Sequence, residues 1–156
     1  MARRRRSEKR EVKPDPRFGS VELARFINKV MLKGKKTVAQ KIVYGALDIA
    51  QQESRSSGLE VFRQAMRNAM PQVQVRSRRV GGTTYQVPTD IRPERQEALA
   101  MKWVITSARD KSGSPMAQRL AQELLEASRS QGNAVRRKEE MHRMAEANRA
   151  FAHYRW

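Results

Sequence analysis

The stretch VRSRRVGGTTYQVP, residues 75 to 88, loads Arg76, Arg78 and Arg79 onto one arm of a short alternating segment that reverses at Gly81-Gly82. An arginine fork bonds a phosphate at two points and stacks on bases, and Tyr85 on the return arm adds a ring of the same use. Lys29, Lys33, Lys35 and Lys36 gather around KGKKT, residues 33 to 37, and Arg136, Arg137 and Lys138 form a third cluster. Phosphate binding is the chemistry these residue types share. KGKKT is not a nucleotide loop, because Lys29 stands where the P-loop needs its first glycine and Lys36 where it needs a Ser/Thr ligand for magnesium.

The chemistry of catalysis is missing. His142 and His153 are the two histidines, 11 residues apart in a basic segment with no third metal ligand in view, and there is no cysteine. Asp90, Glu94 and Glu97 lie beside arginines or a helix start, so ion pairing and complementation of the helix dipole account for them. No nucleophilic triad, EF-hand loop or dinucleotide turn occurs. No cofactor and no enzymatic activity are expected.

The chain of 156 residues carries 33 Lys and Arg against 16 Asp and Glu, a net charge of +17. Such an excess opposes the compact state unless a polyanion neutralises it. No apolar run approaches the ~20 residues of a membrane span, so no membrane partner is expected. Residues 1 to 17 hold eight basic and three acidic side chains without hydrophobic periodicity, which reads as an arm that orders on its partner.

Between the extensions the periodicity predicts a mainly α protein: a six-helix single domain with one protruding β-hairpin and basic N- and C-terminal extensions. The divisions fall at 1–19 for the arm, 20–149 for the helical domain with its hairpin at about 72–88, and 150–156 for the tail. Ser20 suits the cap of a first helix with Val21, Ala24, Ile27, Val30 and Met31 at apolar spacing. A second helix is predicted over about Lys36 to Ser54 on a stripe of Val38, Ile42, Gly45 and Ile49, widened by Ala39, Val43 and Ala46. Ser57 and Glu60 have capping-box spacing for a third, which Pro71 ends.

The period of two then returns from Gln72 to Pro88, and a two-residue turn would set Arg78 opposite Tyr85 and Arg76 opposite Val87, with Arg79 on the other face. The hairpin is expected to be basic on both faces. Pro93 opens a fourth helix, Ser114-Pro115 a fifth, and Gly132-Asn133 separates a sixth over about Ala134 to Arg149. Cations at the start of the sixth oppose its dipole, so Arg136, Arg137 and Lys138 are expected to face outward to an external anion. The expected core comprises Ile27, Ile42, Ile49, Phe62, Leu99, Trp103, Ile105, Leu120 and Leu124.

Asp15-Pro16-Arg17-Phe18, Phe26-Ile27-Asn28-Lys29, Gly34-Lys35-Lys36, Tyr44, VRSRRVGGTTYQVP, Ala98 to Trp103 and the closing RRKEEMHRMAEANRAFAHYRW together resemble the bacterial-type small-subunit ribosomal protein seven family. The resemblance spans almost the whole chain. It implies a structural protein of the cytoplasmic ribosome that binds the 3′ major, or head, domain of 16S rRNA and organises head assembly. It also implies that the hairpin and sixth helix lie near the exit-site tRNA and the messenger, and that the C-terminus approaches platform protein eleven among neighbouring ribosomal proteins.

Carried onto this chain, rRNA contacts fall to Arg3, Arg4, Arg5, Arg6, Lys9 and Arg10 of the arm and to Lys29, Lys33, Lys35 and Lys36. Arg76, Arg78, Arg79, Arg92 and Arg95 complete that set. Proximity to tRNA and messenger falls to Arg78, Arg79, Arg136, Arg137, Lys138 and Arg143, and contact with a neighbouring protein to His153, Tyr154, Arg155 and Trp156. Charge alone also fits a free architectural nucleic-acid binder or a translational regulator of its own messenger.

Overall fold

The computed structural model describes residues 11 to 154. Helix α1 (Val21–Val30) starts where the Ser20 side chain accepts from the Leu23 N–H, and it buries Leu23, Phe26, Ile27 and Val30 at helical spacing. It stops at Met31, whose N–H still bonds the Ile27 carbonyl at 3.0 Å. Lys33 and Gly34 then take left-handed φ values of 49° and 75° and reverse the chain. Helix α2 (Lys36–Ser54) follows and ends at Arg55, itself left-handed.

The core face of α2 is Ala39, Val43, Ala46, Leu47 and Ala50. That face is turned from the expected stripe: Ile42 and Ile49 pack only at its margin, and Val38 is exposed. Alanine explains the rotation. Its small side chains let α2 lie closely against α5 (Met116–Ser128), so the larger Ile42 and Ile49 sit on the shoulders of the contact.

Helix α3 (Gly58–Ala69) crosses α2 at Gly58, where a Cβ would fall 2.5 Å from the Leu47 carbonyl oxygen. Ser57 precedes it but its side chain makes no capping bond, so the expected capping box is not formed. Phe62 meets Phe26 edge to face at 5.1 Å between centroids. Helix α4 (Pro93–Asp110) has its proline in the first turn and buries Ala100, Met101, Val104, Ile105 and Ala108, with Trp103 at the edge of burial. Leu99 is only partly covered.

Strands β1 (Val73–Val80) and β2 (Thr83–Asp90) form an antiparallel hairpin in the expected register, Val80 opposite Thr83, Arg78 opposite Tyr85 and Arg76 opposite Val87. Gly81 and Gly82 have φ of 57° and 89°, which the two-residue turn requires and L side chains resist. Pairing runs past Pro88 to Asp90, beyond the predicted end, because a proline with no neighbour on its other side interrupts no ladder.

Helix α6 (Gly132–Ala147) begins two residues earlier than predicted and passes into a 3₁₀ turn over Arg149–Tyr154. The chain is thus mainly α in a single domain, with six α-helices and one hairpin among the described residues and a further 3₁₀ turn beneath the hairpin.

Candidate nucleic-acid interface

The hairpin is sheltered on one side. Gln74 and Val87, on the face shared by Arg76, Arg78 and Tyr85, are buried at 6% and 0% exposure against α6 and the C-terminal turn. Tyr85 stacks on Tyr154 with centroids 5.0 Å apart and packs on Phe151 at 5.2 Å. The face that carries Arg76 and Arg78 is therefore half taken by contacts that hold the hairpin onto the body, and Tyr85, expected to offer a stacking surface to a partner, stacks on this chain's own rings.

A two-stranded ribbon is marginal alone, and these contacts supply the missing layer. At its root the Gln72 N–H donates to His142 Nε2 at 3.0 Å, and the Ile91 N–H to the Gln72 carbonyl at 3.0 Å. Burial first, and then Lys138, hold the imidazole of His142 below its ordinary value, which keeps Nε2 free to accept.

The opposite face stays open. Arg79 is exposed beside Thr84, and Gln86 Nε2 donates to Ser77 Oγ at 2.9 Å, a bond that aligns the two strands there. On the sheltered face Arg76 is exposed, and the Gln74 amide oxygen, turned to suit its surroundings, accepts from its guanidinium at Nε, 3.0 Å, and Nη2, 3.1 Å. Arg78 is half-buried among its neighbours.

The helical clusters separate in the same way. Lys33, Lys35 and Lys36 are exposed on the α1–α2 turn, whereas Lys29 Nζ reaches the Ala98 carbonyl at 3.4 Å. Arg92 and Arg95 are exposed at the start of α4, where the Arg92 carbonyl accepts from the Gln96 N–H at 3.0 Å. On α6, Arg136 and Arg143 are exposed and lie seven residues apart on one face.

Arg137 and Lys138 also have partners within the chain: the partly exposed Arg137 pairs with the exposed Asp110 at 3.1 Å and Lys138 Nζ donates to the Asn68 carbonyl at 2.8 Å. The anion at the start of α6 is internal as well. Glu123, fully buried, accepts from the Ala134 N–H at 2.9 Å, and Lys111 Nζ lies 3.1 Å from its other oxygen. A carboxylate at that terminus offsets the helix dipole and so relieves the need for an external phosphate.

Sequence reasoning did not foresee what Asp15 does. Buried at 3% exposure, it accepts from the Tyr44 hydroxyl at 2.6 Å and from the Arg17 and Phe18 N–H groups at 3.1 Å each. Arg17 bonds Asp48 at 2.7 and 3.1 Å and lies over the Phe18 and Tyr44 rings. The stretch from Asp15 to Phe18, assigned to the arm on charge, is thus fastened to α2 and sets where the arm departs. An acid set between two prolines in a basic segment was the available signal.

In the tail, Tyr154 packs on Tyr85 and His153 Nδ1 lies 2.9 Å from the Ala150 carbonyl. Arg3, Arg4, Arg5, Arg6, Lys9 and Arg10, with Arg155 and Trp156, lie outside the described residues. Among the described residues no group of three or more His, Asp or Glu is placed to hold a metal ion.

The family model described as ribosomal protein S7p/S5e matches residues 2 to 149. Over the full length of both chains the sequence is 59% identical to the small ribosomal subunit protein uS7 of Sphingopyxis alaskensis. It is 58% identical to that of Rhizorhabdus wittichii and 54% to that of Bartonella quintana, again over both full lengths.

Proposed function

The chain belongs to the ribosomal protein S7p/S5e family, a family of small-subunit ribosomal proteins and not of enzymes, and from that premise we propose that it binds and orders the head domain of 16S rRNA. One observation carries the reading: the cations sort into two sets. Arg17, Lys111, Arg137 and Lys138 are engaged by Asp48, Glu123, Asp110 and a backbone carbonyl, while others, among them Lys33, Lys35, Lys36, Arg79, Arg92, Arg95, Arg136 and Arg143, stand exposed with no partner among the described residues. The second set is the one available to phosphates, and releasing their counterions drives binding.

In this reading the lysine turn, the start of α4 and the outer face of the hairpin grip rRNA, joined by the arm from Arg3 to Arg10. The hairpin tip around Arg78 and Arg79 and the α6 face of Arg136 and Arg143 lie toward the exit-site tRNA and messenger. The end of the chain, from His153 to Trp156, meets a neighbouring protein, platform protein eleven, in the cytoplasmic ribosome.

The test is footprinting on a head-domain transcript against an unrelated duplex at equal salt, with sedimentation of the protein alongside small subunits. Specific protection and co-sedimentation are expected; equal protection of both nucleic acids favours a general binder and sinks the proposal. Arg79→Gln with Arg136→Gln should lower the salt slope of binding by about 0.7–0.9 for each phosphate no longer neutralised and leave the melting temperature unchanged.

A further inference from the structure

The turn between α1 and α2 leaves two large apolar side chains in the open, Leu32 at 62% and Val38 at 49% exposure. Singly exposed apolar residues are ordinary. These two instead wall one slot of about 310 Å³, with Val30 and Ile42 lining it further and Lys33 and Lys35 at its rim. That volume is at the lower end of small-ligand sites, which run about 300–1000 Å³. The turn is held by the Lys35 N–H to Leu32 carbonyl bond at 3.0 Å and the Lys36 N–H to Gly34 carbonyl bond at 2.9 Å, so the wall and the rim are fixed relative to one another. No carboxylate lines the slot.

We propose that this slot receives the base of one unstacked rRNA nucleotide, whose flanking phosphates lie on Lys33 and Lys35. The inference rests on the rRNA-binding reading above and adds the form of RNA that the turn selects. An apolar protein side chain would fill the slot but leave the lysines beside it unneutralised, and a plain duplex backbone would meet the lysines but leave Leu32 and Val38 in water. A splayed-out nucleotide is apolar and flat at one end and anionic at the other, and it satisfies both. Apolar side chains do insert among bases in this way at other nucleic-acid surfaces.

The test uses the full chain and a head-domain transcript of 16S rRNA, with affinity measured across a range of salt. Leu32→Ser combined with Val38→Ser should weaken binding about tenfold through reduced apolar burial and leave the salt slope unchanged. Lys33→Gln with Lys35→Gln should lower the slope by about 1.4, the value for two phosphates of single-stranded RNA.

Leu32→Ile with Val38→Ile should retain wild-type affinity, and all of these exposed substitutions should keep the wild-type melting temperature. Unchanged affinity of the serine variant overturns the slot, as does a fall in its salt slope. Normal rRNA binding by that variant with loss of a neighbouring protein from reconstituted subunits assigns the slot to a protein and overturns it too. Failure of the wild type to bind the transcript would instead defeat the parent reading.

Discussion

Replacing Tyr85 with alanine should release the tip of the hairpin and the C-terminal turn together while the helical body stays folded. Tyr85 makes two ring contacts, at 5.0 Å to Tyr154 and 5.2 Å to Phe151. Each such pair is worth about 0.5–1.5 kcal/mol beyond its buried area, so the substitution removes about 2 kcal/mol at the centre of the range. That corresponds to roughly a thirty-fold rise in local opening. The effect should stay local, because Val87 and Gln74 anchor the root of the same face.

Amide hydrogen exchange reads this directly. The Phe151 N–H, bonded to the Asn148 carbonyl at 3.0 Å, and the amides around Tyr85 should exchange about thirty-fold faster, with α2 and α5 unaffected. Tyr85→Phe should behave as wild type, since the Tyr85 hydroxyl has no hydrogen bond among the described residues. Unchanged exchange at Phe151, or equal acceleration through α2 and α5, would refute the reasoning.

Tyr44→Phe removes a 2.6 Å bond to the buried Asp15 carboxylate and should cost about 1.5–3 kcal/mol in urea unfolding. Burial first, and then that bond, push the Tyr44 hydroxyl up to about 12. The unfolded chain therefore ionises first, and the stability that Tyr44 contributes is whole below about pH 10 and lost as the pH climbs through 12. Alkaline unfolding of wild type and Tyr44→Phe should converge over that window.

His142, held below its ordinary value, works in the opposite sense: its contribution is present above about pH 6.5 and declines on acidification, because the unfolded imidazole takes its proton first. A histidine NMR titration at or above 6.5 would contradict this, and His142→Gln should flatten the decline. Gly58→Ala, which ordinarily would favour a helix, should instead cost about 1–3 kcal/mol in thermal unfolding, because the new methyl meets the Leu47 backbone at 2.5 Å.

Much of the architecture was legible in local patterns. Ser20 caps α1, Pro93 opens α4, and Gly81-Gly82 with alternating neighbours gives the observed hairpin register residue for residue. Each depends on backbone preferences within a few positions of chain, which one sequence displays. The core face of α2 was less legible, because its centre is alanine and periodicity weights Ile42 and Ile49 more heavily than the small residues that allow helices to approach. The exposed cations Lys33, Lys35, Lys36, Arg79 and Arg136 fall where charge clustering placed them, but nothing in that clustering separated them from Arg137 and Lys138.

The sequence by itself determined that this chain is mainly helical, strongly cationic and built with an arginine-bearing hairpin. Tertiary structure decided which cations remain free. Arg137 meets Asp110 from 27 residues away and Lys138 the Asn68 carbonyl from 70, while Glu123 supplies the anion that α6 needs from another helix. Hydrogen bonds and close ion pairs act over a few ångströms, so whether a charge is spent or offered depends on distances that only packing sets. The same packing turned Tyr85 from a surface ring into the clasp that holds the hairpin to its support.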